Sequence, residues 1–430
     1  MTTRVMVFGV GAFAHAVQQI LKENGAETAC YLTRDYGHYA PSTIGQTWNL
    51  EEYPSPLPLI EKFKPDLIIP QAVSWAEQPW ARELIEKELP IFCPVGNAML
   101  IEISRLKASE LCRKYEIPIP TFHHAHNRLE ARKILQDDPR PYVLKNPICS
   151  PFSPIHAIIC ESVSDSIGWI ERVNYAEGLF LQEYLGKEEA GHFVFINDGE
   201  IKSLVTNQEF KRAFSGDMGP LAGAPLAGIA EQDPEDKYGL AKELIHPLRP
   251  WFEKTKYRGP LQVTAIRKNG IWHAIEYNIR LGVTTTALML RMLKNPIQTL
   301  LNVINNQKML LEWNPERYYG CSLTLAGYGY PYLVPSVPKL PVEISEPIEC
   351  DLWWNEVEEE NGQLFMANHQ NYEMGHRIAD INACSKELVF AIKSVESEIR
   401  KIRCLSSYYR TDLKKLAEKN QHFFFSLRRD

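Results

Sequence analysis

No Cys-x-x-Cys pair occurs among the nine cysteines, Cys30, Cys93, Cys112, Cys149, Cys160, Cys321, Cys350, Cys384 and Cys404. Scattered singly, they offer neither the paired ligands of a structural zinc site nor a dense disulfide framework, and reduced thiols in a cytoplasm account for them. No apolar run approaches the length needed to span a bilayer, and the opening Met-Thr-Thr-Arg-Val-Met-Val-Phe-Gly lacks a signal-peptide pattern. The expectation is a soluble, cytoplasmic protein with no membrane partner. A large excess of charge of one sign is missing too: a net charge of −6 over 430 residues gives no general ground for a nucleic-acid partner. No internal repeat is visible. What is present, 45% hydrophobic and 23% charged residues, is the composition of a globular chain long enough for two to four domains.

The chain begins as an α/β unit. The apolar run Arg4 to Phe8, the turn Gly9-Val-Gly-Ala-Phe-Ala-His15 and the helical pattern Ala16 to Glu23 read as strand, glycine turn and helix, whose N-terminus can hold a phosphate. Ala14 replaces the third glycine of a dinucleotide fingerprint, so a plain turn built from small residues fits better. Strands at Thr28 to Leu32, Leu67 to Pro70 and Ile91 to Pro94, with a helix at Trp80 to Glu88, complete a doubly wound parallel unit. A helix over Glu102 to Tyr115 stops at Ile117-Pro-Ile-Pro. His123, His124 and His126 follow in a loop and read as surface histidines.

Tyr142-Val-Leu-Lys145 is a buried-type strand ending in a lysine, which can reach phosphates as a point charge or snorkel to solvent. Ile148 to Pro154 then carries proline and serine where a phosphate-covering loop would want glycine. Gly178 to Glu183 is a strand entering an acidic turn with Glu188 and Glu189. A hairpin around Asn197-Asp-Gly199 leads into the Gly/Ala/Pro-rich stretch 215–228, long enough to be functional. Tyr238 to Trp251 and Thr286 to Leu293 are helical. Strands at Leu323 to Gly329 and Gln363 to Ala367, parted by the proline-rich link Val334 to Pro341 and a solvated acidic run Glu356 to Glu360, suggest a small closing domain. The helix Leu388 to Arg403 and a basic tail containing Phe423 to Phe425 end the chain.

The most informative stretch is Leu261 to Arg280. Two apolar β-branched runs flank Lys268-Asn-Gly270, and Asn-Gly favours a tight hairpin turn with φ > 0. Alternation along the second strand sends Glu276, Asn278 and Arg280 to one face. Carboxylate and amide oxygens are ligands for Mg²⁺, and a neighbouring arginine suits a phosphate or a substrate carboxylate. The hairpin reads as the metal and phosphate end of a nucleotide site, against the plainer alternative of a wet polar face.

With these residues in view, the chain resembles the phosphoribosylamine–glycine ligase family of the ATP-grasp superfamily. The likeness is patchy but colinear from about Val5 to about Ser406. It is carried by Gln182-Glu-Tyr-Leu-x-x-Glu-Glu-Ala, Thr206-Asn-Gln-Glu-Phe-Lys-Arg, Asp217-Met-Gly-Pro, Ile275-Glu-Tyr-Asn-Ile-Arg-Leu-Gly and Met289-Leu-Arg-Met, with Ala326-Gly-Tyr-Gly-Tyr-Pro331 similar to the family's C-terminal Gly-Tyr-Pro segment. The resemblance implies a multidomain α/β and α+β protein of ATP-grasp fold. Its expected parts are an N-terminal doubly wound parallel α/β domain (1–105), a small lid subdomain (106–180), a central domain with the metal site (181–315), a C-terminal closing domain (316–395) and a basic tail (396–430).

It also implies ATP and Mg²⁺, with Mn²⁺ as an alternative ion, and small-molecule carboxylate and amine substrates joined through an acyl phosphate. Glu276 and Asn278 would hold the metal. Arg105, Lys145, Gln182, Glu183, Tyr184 and Glu189 would bind ATP, with Glu183 and Tyr184 along the adenine edge and Glu189 on the ribose. Arg280 and Lys145 would act on the transferred phosphate, and Lys211, Arg212, Asp217, Gly219, Pro220 and His15 are substrate-binding candidates.

Departures cluster on the substrate side. The family's Gly-Asn-Gly-Gly-Arg-Glu-His appears as Gly9-Val-Gly-Ala-Phe-Ala-His15, its Pro-Glu-Ala-Pro-Leu as Pro70-Gln-Ala-Val-Ser74, its Gly-Pro-Asn-Thr-Gly-Gly-Met-Gly as Gly219-Pro-Leu-Ala-Gly-Ala-Pro-Leu226, and its Arg-Phe-Gly-Asp-Pro-Glu as Arg280-Leu-Gly-Val-Thr-Thr285. One lost charged contact in a buried site costs about 3 to 5 kcal/mol, which disfavours the family's own substrates. The expectation is a carboxylate–amine ligase with altered substrates. The orthodox purine-pathway reaction and a catalytically silent nucleotide-binding scaffold are the alternatives. The residues identify neither acid nor amine, nor an oligomeric state.

Overall fold

The computed structural model describes residues 2–34, 37–149, 157–332, 339–367 and 376–415. Pro151 and Pro154 of the proline-containing loop, most of the proline-rich link (333–338) and the tail with Phe423 to Phe425 lie outside the described residues.

Four parallel strands form the N-terminal sheet, in the order Gln46–Trp48, Glu27–Tyr31, Arg4–Phe8, Leu67–Pro70. Alternation puts Met6 and Phe8 into one apolar cluster and Val5 and Val7 into another, so the sheet is buried on both faces, as parallel sheets require. The strand expected at Ile91 to Pro94 reduces to a single bridge from Ile91 to Ile68, because Pro90 and Pro94 bring no N–H to a ladder. Gln46–Trp48 takes an edge instead.

The second sheet is antiparallel: Phe122–Ala125, Leu179–Glu183, Tyr142–Lys145 and Ala157–Ile159. His123 and His124 therefore belong to a strand, not a loop, and bond Asp138 and the carbonyl of Glu177. Tyr142, Leu144, Leu179 and Leu181 bury one face beneath the helices Arg128–Asp137 and Val163–Ile170. The other face, with Phe122, Phe180, Gln182 and Lys145, is left for the site. This sheet takes residues 179–183 whole, so it extends just past the expected boundary at 180.

The third sheet has nine antiparallel strands, ordered Ile271–Asn278, Arg258–Lys268, Glu189–Asn197, Glu200–Phe210, Ala227–Gln232, Tyr319–Gly327, Arg377–Ser385, Asp351–Trp354, with Ser407–Tyr408 beside Tyr319–Gly327. It runs unbroken across residue 315, and a separate four-stranded sheet (Val357–Glu360, Gln363–Met366, Pro341–Ile344, Ile402–Cys404) packs beyond it. The acidic run is thus a strand, with Lys339 bridging Glu358 and Glu360. One face of the large sheet packs on Leu240–Leu244 and Arg249–Thr255. The other buries Phe193, Phe195 and Val205 against Val283–Met292 and the first helix, Gly11–Glu23.

Three expected helices differ in extent. The segment 102–115 breaks at Ser104, which caps Arg105–Lys114 by accepting from the Lys107 N–H at 3.3 Å. The segment 238–251 breaks at Pro247 into short turns of helix. Leu388–Glu398 stops five residues short of Arg403, where the chain turns to form the Ile402–Cys404 strand. Among the described residues no helix is long and apolar enough to cross a membrane.

Candidate active site

The hairpin forms as its sequence directs, with Asn269 (φ +53°) and Gly270 (φ +79°) in the turn. Its second strand carries a β-bulge. Thr264 pairs with Glu276 but Ala265 pairs with Ala274, leaving Ile275 as the extra residue. Simple alternation would send Glu276 to the face of Trp272 and Ala274, which is apolar core. The extra residue swings Tyr277 into that core and turns Glu276 and Asn278 to the opposite face. The Ile275 carbonyl released by the bulge accepts a 3.2 Å hydrogen bond from Lys145 Nζ, across the gap between the two sheets.

Arg280 stays beside Asn278, its Nη2 donating to Asn278 Oδ1 at 3.4 Å. Its Nε donates to Glu102 Oε1 at 3.0 Å, while Glu102 Oε2 accepts from the Ile279 N–H at 2.6 Å. Burial pushes Glu102 upward against the pull of Arg280, and Glu102 in turn holds Arg280 above its ordinary range despite burial. Glu102 is thus an internal strut that sequence reading missed; its signal was a lone carboxylate within the apolar run Leu100-Ile-Glu-Ile103.

Around Glu276 four cations converge. Burial alone would raise its carboxyl, but Arg105, Lys211, Lys145 and Arg280 outweigh burial and hold it down at about 2. Lys145, only 5% exposed, is lowered to about 7 by burial and by Arg105. Lys211 is raised in spite of burial, because Glu189, Glu209 and Glu276 surround it; it lies 3.3 Å from Glu189 and 3.5 Å from Glu209. Arg105 Nε is anchored on the Asn146 carbonyl at 2.9 Å. Among the described residues no donor is hydrogen-bonded to the Glu276 carboxylate, so an ionised acid faces the gap with its lone pairs free. Hard oxygens on Glu276 and Asn278 beside cations suit a divalent ion shared with phosphate oxygens.

A polar network backs this face. Asn207 Nδ2 donates to Thr285 Oγ1 at 2.9 Å, and Gln262 Nε2 donates to Asn207 Oδ1 at 3.2 Å. A Cβ at Gly191 would lie 2.4 Å from Asn207 Oδ1, so only glycine leaves room for that contact.

Beside the charges opens a narrow cleft, lined on one side by Phe122, Phe180 and Gln182 of the small sheet and on the other by Ala274 to Tyr277. Phe122 and Phe180 stack at 4.9 Å, and the floor is mostly apolar, while Arg105 and Glu276 stand at the charged end. Glu183 is bound to Lys268 at 3.0 Å and to Arg140 at 3.2 Å, which together outweigh burial and keep its carboxyl low. Tyr184 is tied through its backbone N–H to Pro141.

The substrate candidates are spread more widely. His15 is buried under Trp353, its Nδ1 accepts the Trp354 N–H at 3.0 Å, and burial lowers it to about 4, so it is a neutral packing residue in this arrangement. The helix N-terminus that could have taken a phosphate is already filled. Gln71 Oε1 accepts from the Val10 N–H at 2.8 Å, the Gly37 carbonyl from Gly11 at 2.9 Å, and Asn355 Oδ1 from Ala12 at 3.3 Å. A Cβ at Gly11 would sit 1.9 Å from Asn355 Oδ1.

Arg212, Asp217, Gly219 and Pro220 form a small hairpin, Arg212–Phe214 with Met218–Leu221. The Gly219 carbonyl accepts from Arg212 Nη1, and the fully buried Arg410 holds Asp217 at 2.8 Å, Asp412 at 2.8 Å and the Arg212 carbonyl at 3.0 Å. Arg410→Ala is therefore expected to lower stability by roughly 3 kcal/mol and to raise tryptic cleavage after Arg212 about tenfold, read by limited proteolysis. Unchanged cleavage would show that the hairpin stands without its anchor.

No family model matches the chain. The phosphoribosylamine–glycine ligase of Lactococcus lactis is 26% identical over 324 residues, 73% of this chain and 77% of that protein. The crystal structure of the Thermotoga maritima phosphoribosylamine–glycine ligase superposes with a TM-score of 0.75 at 23% identity, covering 95% of this chain and all of that one. The biotin carboxylase domain of Hydrogenobacter thermophilus 2-oxoglutarate carboxylase, solved with MgADP, superposes at 0.68 with 13% identity, over 95% and 92% of the two chains. Sequence likeness and fold agree: the chain is similar over most of its length to phosphoribosylamine–glycine ligases, and it has the ATP-grasp fold of these structures.

Proposed function

We propose that the protein is an ATP- and Mg²⁺-dependent carboxylate–amine ligase whose acid and amine differ from those of its named relatives. The observation that carries the reading is Glu276, an ionised, unbonded carboxylate among four cations at the mouth of an apolar cleft between two sheets. In this reading Phe122, Phe180 and Ile275 would flank the base and Gln182 would offer an amide to its edge. Glu276 and Asn278 would hold Mg²⁺, which supplies charge neutralisation on the phosphates when bound. Lys145 and Arg105 would orient the transferred phosphoryl group, and Arg280, fixed by Glu102, would face the acid. A substrate carboxylate attacks that phosphoryl group to give an acyl phosphate, which the amine opens to an amide. Such transfer is positioning and charge neutralisation, and needs no side-chain nucleophile.

Changed substrates are supported by the filled helix N-terminus, whose donors at Val10, Gly11 and Ala12 are all engaged within the protein. Extensive likeness to the named ligases favours a second reading, in which the pair is still phosphoribosylamine and glycine. ADP release measured over a panel of acids and amines separates these. We expect Mg²⁺-dependent ADP only with a pair outside the named one. ADP that requires phosphoribosylamine and glycine overturns the altered-substrate reading, and no ADP with any pair overturns ligase activity altogether.

A further inference from the structure

On the far face of the nine-stranded sheet, away from Glu276, a second constellation stands between the sheet and the helix Leu240–Leu244. His192, Asp233 and Asp236 are the group of three metal-type ligands found among the described residues, with one ligand atom from each lying within 4.8 Å of the others. His192 and Asp233 are fully buried, and Asp236 is 10% exposed at the side chain.

The hydrogen bonds fix which ring nitrogen carries a proton. Thr206 Oγ1 donates to Asp233 Oδ2 at 2.7 Å, because a carboxylate only accepts, so at 2.8 Å from His192 Nδ1 the same oxygen is the acceptor and Nδ1 the donor. In the neutral ring Nε2 is then a bare lone pair. Nε2 is buried with no hydrogen-bond partner and faces Asp236 Oδ1 across 3.9 Å. That distance is too long for a hydrogen bond, and two negative lone pairs repel across it. A cation between them removes the conflict: Zn–N and Zn–O bonds of about 2.0 to 2.2 Å each span such a gap. Asp236 is itself held by the N–H groups of Ala241 and Lys242 at 2.9 and 2.7 Å and Asp233 Oδ1 by the Lys237 N–H at 2.9 Å, so the turn fixes both carboxylates, with Asp233 Oδ2 3.7 Å from His192 Nδ1. The Nδ1–H bond to Thr206 is the outer support that ligating histidines characteristically have.

We propose that His192, Asp233 and Asp236 bind a structural divalent cation of the zinc class, which ties the strand Glu189–Asn197 to the turn 233–239. The partly exposed Asp236 edge is the way in. One imidazole with two carboxylates selects zinc over magnesium or calcium, which take oxygen ligands.

The test uses the full-length protein in the Glu276→Gln background, so that the other cation site is disabled. Zn²⁺ is titrated against a chromophoric chelator, and Co²⁺ is added for its ligand-field spectrum. The expected result is one equivalent bound with Kd below about 1 µM, a tetrahedral Co²⁺ spectrum and a raised melting temperature. His192→Gln, which keeps an amide donor for Thr206, is expected to weaken Zn²⁺ binding by roughly 100-fold or more while circular dichroism stays unchanged. No stoichiometric uptake, or uptake indifferent to both His192→Gln and Asp233→Asn, overturns the proposal. So does an imidazole ¹⁵N spectrum showing His192 doubly protonated and unaltered by Zn²⁺, since a proton then occupies the place assigned to the metal.

Discussion

Glu276→Ala is expected to lower ADP formation by about 10³-fold or more, the scale on which a group stabilising transferred charge acts. Magnesium-dependent protection should vanish with it. In the wild type, MgATP at about 100 times Kd raises stability by roughly 2.7 kcal/mol, and the variant should show no such shift in melting temperature. The electrostatics also bear on the free protein, because Arg105, Lys145, Lys211 and Arg280 lose their common counter-charge. The carboxyl lies at about 2, well below its ordinary 4.5. Its stabilisation is therefore complete above pH 4.5 and is lost as pH falls toward 2. Wild type and Glu276→Gln should differ most above pH 4.5 and converge in acid. Undiminished turnover in Glu276→Ala would remove this residue from the reaction.

Lys145→Met should separate binding from stability. The ammonium is buried and lowered to about 7, so at pH 8 much of the free protein holds it neutral. Phosphate oxygens favour the charged form, and MgATP binding at pH 8 should take up close to one proton. Calorimetry in two buffers of different ionisation enthalpy reads this uptake directly, and the variant should lack it. Between pH 7 and 10.5 the unfolded chain keeps a proton that the folded state has released, so this lysine makes stability rise with pH. Below pH 7 both states are protonated and the burial penalty is complete. From pH 7 to 9 the wild type should gain about 2 to 3 kcal/mol relative to Lys145→Met. A flat difference, or no proton uptake, would place the charge elsewhere.

The site's ingredients were legible where chemistry is local. Asn269-Gly270 announced its turn, and Lys145 its strand end. The bulge at Ile275 was not legible, because residues 271–278 alternate equally well without it; only the register against Thr264 and Ala265 decides which face Glu276 takes. The expected row of Glu276, Asn278 and Arg280 lies beyond the bulge and stays together, but the face it takes could not be read locally. Glu102 escaped because its partner N–H, on Ile279, is 177 residues away. Asn355, which fills the first helix's N-terminus from 343 residues beyond Ala12, carries no local signal at all. His15 looked like a binding group, since nothing in its neighbours says that Trp353 and Trp354 will enclose it. Alternating strands and helices were readable, whereas the continuity of the nine-stranded sheet across residue 315 rests on distant pairings such as Ala227 with Leu323.

The strand bearing Glu276 is also the outermost of its sheet, hydrogen-bonded to one neighbour only. Its free side is covered from the small sheet's direction: the Pro118 carbonyl accepts the Ala274 N–H at 2.9 Å, Lys145 takes the Ile275 carbonyl, and Lys268 and Glu183 close the end. Unpaired strand margins recruit other chains, and a row of backbone groups here would template self-association. The small sheet is therefore a guard against aggregation as well as one wall of the cleft. Any motion that swings it away to admit a nucleotide uncovers the margin, so opening must be brief or small for the protein to remain dispersed.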